Sequence, residues 1–476
     1  MKHVILGAGP AGVIAAETIR KHAPRDEIVI IGDEPEAPYS RMAIPYLLIG
    51  KVGEDGTHLR HGVSHYQDLR ITLRRGVKAT KVDAAARSVT LSDGSTESFD
   101  KLLIATGSSP ASPPVPGIHG PGVHTCWTLK DARAIAALAK PGARVLQMGA
   151  GFIGCIIMEA LQQRGVQLSV VEMGDRMVPR MMGPTAGGMI KDWCEKKGVA
   201  VYTGARVEAI ERPLPAHEPA AALVPPPSHT PQPGLLSRLA QAVGLAPAPA
   251  PAPAPAAAPA AAAPAKAAAP MTVRLSTGQR LEADLVISAT GVKPNIGFLE
   301  HSGIRCLVGV LTDEHLQTNV EGIYAAGDCA EAFDKVSGTT IVSAIQPNAA
   351  EQARVAALNM VGQKAELKGV TQINVLDTLG LISCSFGNWQ GVQGGQHVEL
   401  TDRAADKHIS LQFKDDYLVG CNAIGFIEHV GVMRGLVEGG VRLKPEWKTR
   451  LLEDPTQLMA AYLASAQAQQ DPAHAK

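Results

Sequence analysis

Apolar and polar positions follow a recurring order along this chain: a short apolar run, a glycine turn, a helical period, a second apolar run and an acid. The first instance is Val4-Ile5-Leu6, then Gly7-Ala8-Gly9-Pro10-Ala11-Gly12, a helix to about Lys21, and a strand Glu27–Ile31 leading to Gly32-Asp33-Glu34. The second is Val145-Leu146-Gln147-Met148, then Gly149-Ala150-Gly151-Phe152-Ile153-Gly154, a helix carrying Ile156, Ile157, Ala160 and Leu161, and a strand 168–171 capped by Glu172. Runs that are apolar without alternation suit strands covered on both faces, so each unit predicts a βαβ element of a parallel sheet.

The pattern between and beyond these units predicts the rest. Residues 76–100 read as a meander: strands 76–82, 88–91 and 98–100 with a turn at Asp93-Gly94. Lys101–Ala105 is a buried strand ending in Ala105-Thr106-Gly107, and the Pro/Gly-rich stretch 110–122 marks a domain crossing. A hairpin begins within 200–211, with partner strands expected at 272–275 and 284–288, the latter ending in Ala289-Thr290-Gly291. Between them, residues 213–270 are dominated by Ala and Pro, a composition that predicts a disordered, semi-stiff spacer. Within it, 235–243 places apolar residues on one helical face, readable as a transient helix or as a docking helix. A strand stops at Gly327-Asp328, a helix runs from about Asn348 to Met360, and strands 372–376, 408–413 and 418–421 with helices near 430–437 and 458–463 predict a further α+β domain.

Each G-x-G-x-x-G, set between strand and helix with an acid after the second strand, has the arrangement a dinucleotide site requires. The first glycine permits the turn, the second lets backbone approach a pyrophosphate, and the third lets the helix pack on the strand. The pyrophosphate then meets the free N–H groups of the helix N-terminus. Glu172 is placed to accept from both ribose hydroxyls, and its charge opposes a 2′-phosphate. Two such sites in one chain imply two redox nucleotides exchanging electrons.

Composition narrows this picture. The 476 residues allow two to four domains, and 45 basic residues balance 45 acidic ones, which offers no basis for binding nucleic acid or an anionic membrane. No apolar run reaches the ~18 residues needed to span a bilayer, and the chain opens on a strand with no secretory pattern. Seven scattered cysteines without a C-x-x-C fit a reducing cytoplasm. His58, His61 and His65 have helical ligand spacing, but Gly62 between them and the lack of a second ligand set argue against a metal site.

Five markers stand in one order: residues 7–12, Ala105-Thr106-Gly107, residues 149–154, Ala289-Thr290-Gly291 and Gly327-Asp328. In this the chain resembles the pyridine nucleotide-disulfide oxidoreductase superfamily of FAD- and NAD(P)H-dependent enzymes. The resemblance implies an α/β fold with two Rossmann-like dinucleotide-binding domains and a C-terminal α+β domain. It divides the chain into an FAD-binding domain (1–112 and 292–360), an NAD-binding domain (113–291, interrupted at 213–270) and an interface domain (361–476). It implies FAD held by Gly7, Gly9, Pro10, Ala11 and Gly12, by Asp33 or Glu34 at the ribose, by the backbone of Val82 at the adenine, by Thr106 and Gly107, and by Gly327 and Asp328. NAD falls to Gly149, Gly151, Phe152, Ile153, Gly154, Glu172 and Gly291.

The departures from the family's branches are as informative. The C-x-x-x-x-C pair of the glutathione-reductase-like branch is absent, and the single cysteine of the coenzyme A-disulfide reductase and NADH oxidase branch is Met42 here, which cannot form a thiolate. Pro38-Tyr39-x-Arg41 resembles the ferredoxin- and rubredoxin-reductase branch, yet that branch's flavin-side lysine is Tyr46 and its partner glutamate aligns with Ile156. Arg41 and Tyr46 remain as candidates near the flavin; Cys329 and Trp389 read more simply as packing residues. The expectation is a cytoplasmic, homodimeric flavoprotein that oxidises NADH and passes electrons to a ferredoxin- or rubredoxin-like carrier without a catalytic thiol. Two alternatives are an NADH oxidase using oxygen and a flavin-bound NADH sensor or assembly factor.

Overall fold

The computed structural model describes residues 1–62, 64–213, 270–334, 337–370 and 372–470. Two five-stranded parallel sheets dominate. The first runs Ile323–Ala325, Lys101–Ile104, Lys2–Leu6, Glu27–Ile31, Ile71–Arg74 in spatial order, and the second Ala200–Thr203, Gln167–Glu172, Arg144–Met148, Leu285–Ser288, Val123–His124. Their central strands carry uninterrupted apolar runs because helices or a small antiparallel sheet cover both faces. On the first sheet, the helix Pro10–His22 packs against Gln346–Met360 through Ala15, Ala16, Ala353, Ala356 and Ala357, all buried. Small side chains let these two helices lie close.

Each parallel sheet carries a three-stranded meander: Ala79–Asp83, Ser88–Leu91, Thr96–Ser98 on the first and Val207–Glu211, Met271–Leu275, Arg280–Ala283 on the second. Here the expected strands shift. Residues 284–288, expected as a partner strand of the hairpin, join the parallel sheet instead: Leu285–Ser288 is buried along its whole length, whereas Met271–Leu275 alternates buried and half-buried positions as a one-sided strand does. Ala200–Thr203 likewise pairs in parallel with Gln167–Glu172. In the first meander the last strand is Thr96–Ser98, because Asp100 is taken up by the backbone of Lys2 at the start of the next parallel strand. The spacer 213–270, with its proposed helix 235–243, falls almost entirely outside the described residues; Glu211 and Thr272 on either side of it are paired directly.

Two short strands, Ser108–Pro110 and Val292–Pro294, pair where the chain crosses between the parallel sheets. The remainder is a five-stranded antiparallel sheet, Ile373–Thr378, Leu381–Gly387, Tyr417–Ile424, Lys407–Lys414, Gln396–Asp402, with helices Val430–Gly439, Pro445–Glu453 and Leu458–Gln470. Two of its strands were not read from the sequence: Leu381–Gly387 carries Ser383 and Ser385 at buried positions, and Gln396–Asp402 is a largely exposed edge. Trp389 follows Leu381–Gly387 and is partly buried at the turn. Among the described residues no helix is long and apolar enough to cross a membrane.

Candidate functional site

The two glycine turns are built alike. The N–H of Gly7 donates to Ile31 O at 2.7 Å and that of Gly149 to Val171 O at 2.8 Å; the next strand then closes on each turn through Ala105 N and Ala289 N, both at 2.8 Å. A Cβ on Gly7 would meet Ala105 O at 1.9 Å, and one on Gly149 would meet Ala289 O at 2.4 Å, so only glycine permits this approach. At Gly9 and Gly151 the opposite holds: a Cβ would meet nothing within 4 Å. The middle glycine of each turn therefore faces open space at a helix N-terminus, the condition for a pyrophosphate to reach backbone N–H groups.

A cavity starts at the first turn, with Gly7, Gly9, Pro10 and Ala11 on its wall and Asp33 and Glu34 at one end. It passes Thr106, Gly107 and Ser108, reaches Gly327 and Asp328, and ends against Phe152, Ile153, Ile156 and Ile157 of the second turn's helix. Gly12 lies beneath the turn, its Cβ position 1.9 Å from Gly7 O. Val82 is outside the cavity, its side chain buried in the meander. Tyr46 is also outside it and 53% exposed, whereas Met42 and Ile156, at the other positions that depart from the family's branches, do line it. Gly149, Gly151, Gly154, Glu172 and Gly291 group around the second turn. A second cavity lies between Phe152, Ile153, the segment 341–345 and the edge strand residues Ile373 and Asn374.

Asp328 accepts a hydrogen bond from the Ser108 hydroxyl at 2.8 Å. Burial pushes its carboxyl above the ordinary value, with the Ser108 bond and the Arg41 charge acting the other way. Four lone-pair sites with one partner leave it able to accept from a ligand hydroxyl. Together with the open Gly9 and the acids at the far end, this donor set fits a dinucleotide carrying a polyhydroxyl chain, such as FAD.

Arg41 is an expected residue of this wall, whereas Tyr39, Ser108 and Trp127 are not among the site residues expected from the sequence. Arg41 donates to Glu34 at 2.8 Å and to Trp127 O at 2.7 Å, and stacks over Tyr39 and Trp127 with centroid distances of 5.7 and 5.1 Å. Tyr39 donates to Glu34 at 2.6 Å. Glu34 is thus engaged by two side chains at the cavity's end, and Trp127 and Ser108 complete the wall. The P-Y-x-R string signalled Tyr39 and Arg41, but nothing local signalled Trp127.

Glu172 accepts from Ala150 N at 2.7 Å and Gly174 N at 2.8 Å. Both bonds anchor the carboxylate at the rim of the second turn.

No thiol is poised in either cavity. Cys126 lines the first, but burial pushes its thiol up to about 12. Cys329 lies buried beneath the wall with its Sγ 3.3 Å from Ile104 O, and burial raises the other five thiols as well. Of the three clustered histidines, His65 pairs with Glu17 at 2.8 Å and His58 bridges to Tyr39 through backbone. Among the described residues no group of three His, Cys, Asp or Glu could hold a metal ion.

Comparison with known proteins agrees with this geometry. The model of the family described as pyridine nucleotide-disulphide oxidoreductase matches residues 1–216 and 259–357. The NADH-dependent phenylglyoxylate dehydrogenase subunit epsilon of Aromatoleum evansii is 28% identical over 457 residues, 95% of each chain. Rubredoxin-NAD(+) reductase of Pseudomonas putida is 24% identical over 449 residues, 92% of this chain and 99% of its own. Among solved structures, the covalent putidaredoxin reductase–putidaredoxin complex superposes with a TM-score of 0.78 at 21% identity, covering 97% of this chain and 99% of that one, a likeness of fold. With the match spanning most of the chain and both glycine turns within it, the chain belongs to the pyridine nucleotide-disulphide oxidoreductase family.

Proposed function

We propose that the chain binds FAD along the first cavity and NADH at the second turn, and hands the electrons to a ferredoxin- or rubredoxin-like carrier. The chain is an NAD(P)H oxidoreductase of a flavin-dependent family, and relatives are named for reduction of rubredoxin and for an NADH-dependent dehydrogenase subunit. The observation that supports the reading is that Phe152 and Ile153, which belong to the second glycine turn and open its helix, also line the first cavity. A nucleotide held on the second turn would thereby lie against the end of the first cavity, as transfer between two bound nucleotides demands.

In this assignment residues 1–112 and 292–360 form the FAD unit, with Gly7, Gly9, Pro10, Ala11 and Gly12 at the pyrophosphate, Asp33 or Glu34 at the adenosine ribose, and Thr106, Gly107, Gly327 and Asp328 along the ribityl chain. Residues 113–291 hold NADH through the second turn and Glu172, and residues 361–476 form an interface domain that pairs two copies in the cytoplasm. A bound flavin would supply acceptance of a hydride equivalent from NADH and one-electron release. The protein's own part is positional: Asp328 accepts a ligand hydroxyl, the open middle glycines admit two pyrophosphates, and the apolar Phe152, Ile153, Ile156 and Ile157 exclude water from that end of the first cavity. With Met42 at the family's thiol position and no poised cysteine, electrons leave without passing through a disulfide.

The test is anaerobic stopped-flow mixing of the yellow protein with NADH, followed by a ferredoxin, a rubredoxin or oxygen as separate acceptors. Turnover of about 10 s⁻¹ or more with a carrier protein supports the reading. Fast turnover with oxygen alone makes the chain an oxidase, and a long-lived reduced complex with slow turnover makes it a sensor. Isolation without flavin overturns the whole assignment.

A further inference from the structure

The two glycine turns differ in what lies beneath them. Two residues before the first glycine stands Ile5 in the first strand and Gln147 in the second. Gln147 is fully buried, at 0% exposure, on a strand whose other buried members Val145, Leu146 and Met148 are apolar. Its Nε2 donates to the Gly149 carbonyl at 2.9 Å, while its Oε1 is buried without a partner among the described residues. From the other side, Ala150 N–H donates to Glu172 at 2.7 Å.

The Gly149 carbonyl and the Ala150 N–H are the two ends of one planar peptide group. That peptide is therefore gripped at both ends by side chains, Gln147 from below and Glu172 from the rim. The matching Gly7–Ala8 peptide has the hydrocarbon of Ile5 beneath it, and among the described residues no side chain bonds to either of its ends. The amide also occupies space between turn and helix. A Cβ on Gly154 would lie 2.6 Å from Gly149 O and 2.8 Å from Gln147 Nε2, whereas one on Gly12 would lie only 1.9 Å from Gly7 O. A half-satisfied amide inside an apolar strand is unfavourable for folding, and the first unit shows that an aliphatic side chain serves the fold at this position. The amide's use lies elsewhere than stability.

We infer that Gln147 is a positioning residue for the pyridine nucleotide. Together with Glu172 it sets the tilt of the Gly149–Ala150 peptide, which aims the turn's N–H groups at the pyrophosphate and keeps the Glu172 carboxylate at the ribose. This rests on the assignment of NADH to the second turn.

The experiment titrates flavin-loaded protein with NAD⁺, which binds without reducing the flavin, by calorimetry. The proteins are wild type, Gln147→Leu, Gln147→Glu and Gly151→Val. Gly151→Val fills the open space at the turn and is expected to abolish binding; if it binds NAD⁺ like wild type, the nucleotide is not on this turn and the assignment itself fails. Gln147→Leu is expected to weaken binding about tenfold, as loss of one orienting hydrogen bond does, with an unchanged melting temperature because an unpartnered acceptor is removed with it. Wild-type affinity in Gln147→Leu, alongside loss in Gly151→Val, overturns the inference. Gln147→Glu decides independently, even if the leucine variant does not fold. Burial raises a carboxyl's pKa, and only the protonated form can donate to Gly149 O, so its NAD⁺ affinity should recover as pH falls. A pH response identical to that of wild type overturns the role assigned to the amide.

Discussion

Glu34 and Glu172 stand near the ends of equivalent strands in equivalent units, yet their carboxylates are engaged differently. Glu34 is held by the side chains of Tyr39 and Arg41, and Glu172 by two backbone N–H groups. Held by fixed amides, Glu172 presents its remaining lone pairs in one orientation; under the proposed assignment these would meet a ribose diol and its charge would oppose a 2′-phosphate. Wild type should therefore prefer NADH to NADPH in kcat/KM, and Glu172→Ala should lower NADH efficiency by about tenfold while narrowing the preference. Equal wild-type efficiency with the two coenzymes would refute this. That an acid would stand here was readable from the strand–turn–helix–strand spacing. Its bonds to Ala150 and Gly174 were not, because they depend on how the turn folds back over the strand end.

At the scale of elements, the helix Leu129–Leu138 shows how a cap shapes the site. Thr128 and Asp131 form a capping box, with Asp131 N donating to Thr128 Oγ1 at 3.1 Å. The Asp131 carboxylate also accepts from Thr125 Oγ1 and Trp127 N at 2.9 and 3.1 Å, which fixes the loop that carries Trp127 into the cavity wall. Burial pushes this carboxyl up, but bonds from His124, the Trp127 and Thr128 amides and the Thr125 hydroxyl outweigh it and hold it well below the usual carboxylate range. A carboxyl depressed in the folded state stabilises the protein above its unfolded pKa, and the contribution fades as pH falls toward the folded value. Asp131→Ala should thus cost about 2 kcal/mol near pH 7. In urea titrations the gap from wild type should stay constant above about pH 5 and narrow below about pH 4. A gap that widens on acidification would contradict the assigned cause. The string Thr128-Leu129-Lys130-Asp131 carries the cap signal locally and could have placed the helix start in advance, but not the place of Trp127 in the cavity wall.

For the whole molecule, the units are tied together by contacts between residues far apart in sequence. Arg133 reaches Glu36 and Glu54 at 2.9 and 2.7 Å, Arg41 reaches the Trp127 carbonyl, and Asn422 bonds both Met181 O and Gly183 N at 2.9 Å. None of these ties uses the segment between Glu211 and Thr272, whose ends already meet in an antiparallel ladder. Loop-closure entropy changes by only about 0.6 kcal/mol per doubling of length. Replacing residues 214–269 with a short glycine-containing turn should keep flavin content and dye-linked NADH oxidation, with a melting temperature equal to or slightly above that of the full chain. Loss of flavin or of cooperative unfolding would show that the segment packs on the body.

The sequence alone determined the repeated strand–turn–helix units, their glycines and the order of the five markers. Each of these follows from interactions within a few residues: a backbone that needs glycine, a strand that needs continuous apolar cover, a helix that needs a cap. It also carried the absence of a thiol at Met42, since that is a matter of residue chemistry. The tertiary structure decided what the local pattern left open. It moved residues 285–288 into the parallel sheet, because burial on both faces depends on what packs there. It kept Val82 and Tyr46 out of the cavity and brought in Ser108 and Trp127. Ser108 and Asp328 meet although 220 positions separate them, and Gln147 in an apolar run proves to bond the Gly149 carbonyl beneath the second turn. Such pairings arise only when sheets and helices have packed, because the free energy that places them comes from burial shared across the whole chain.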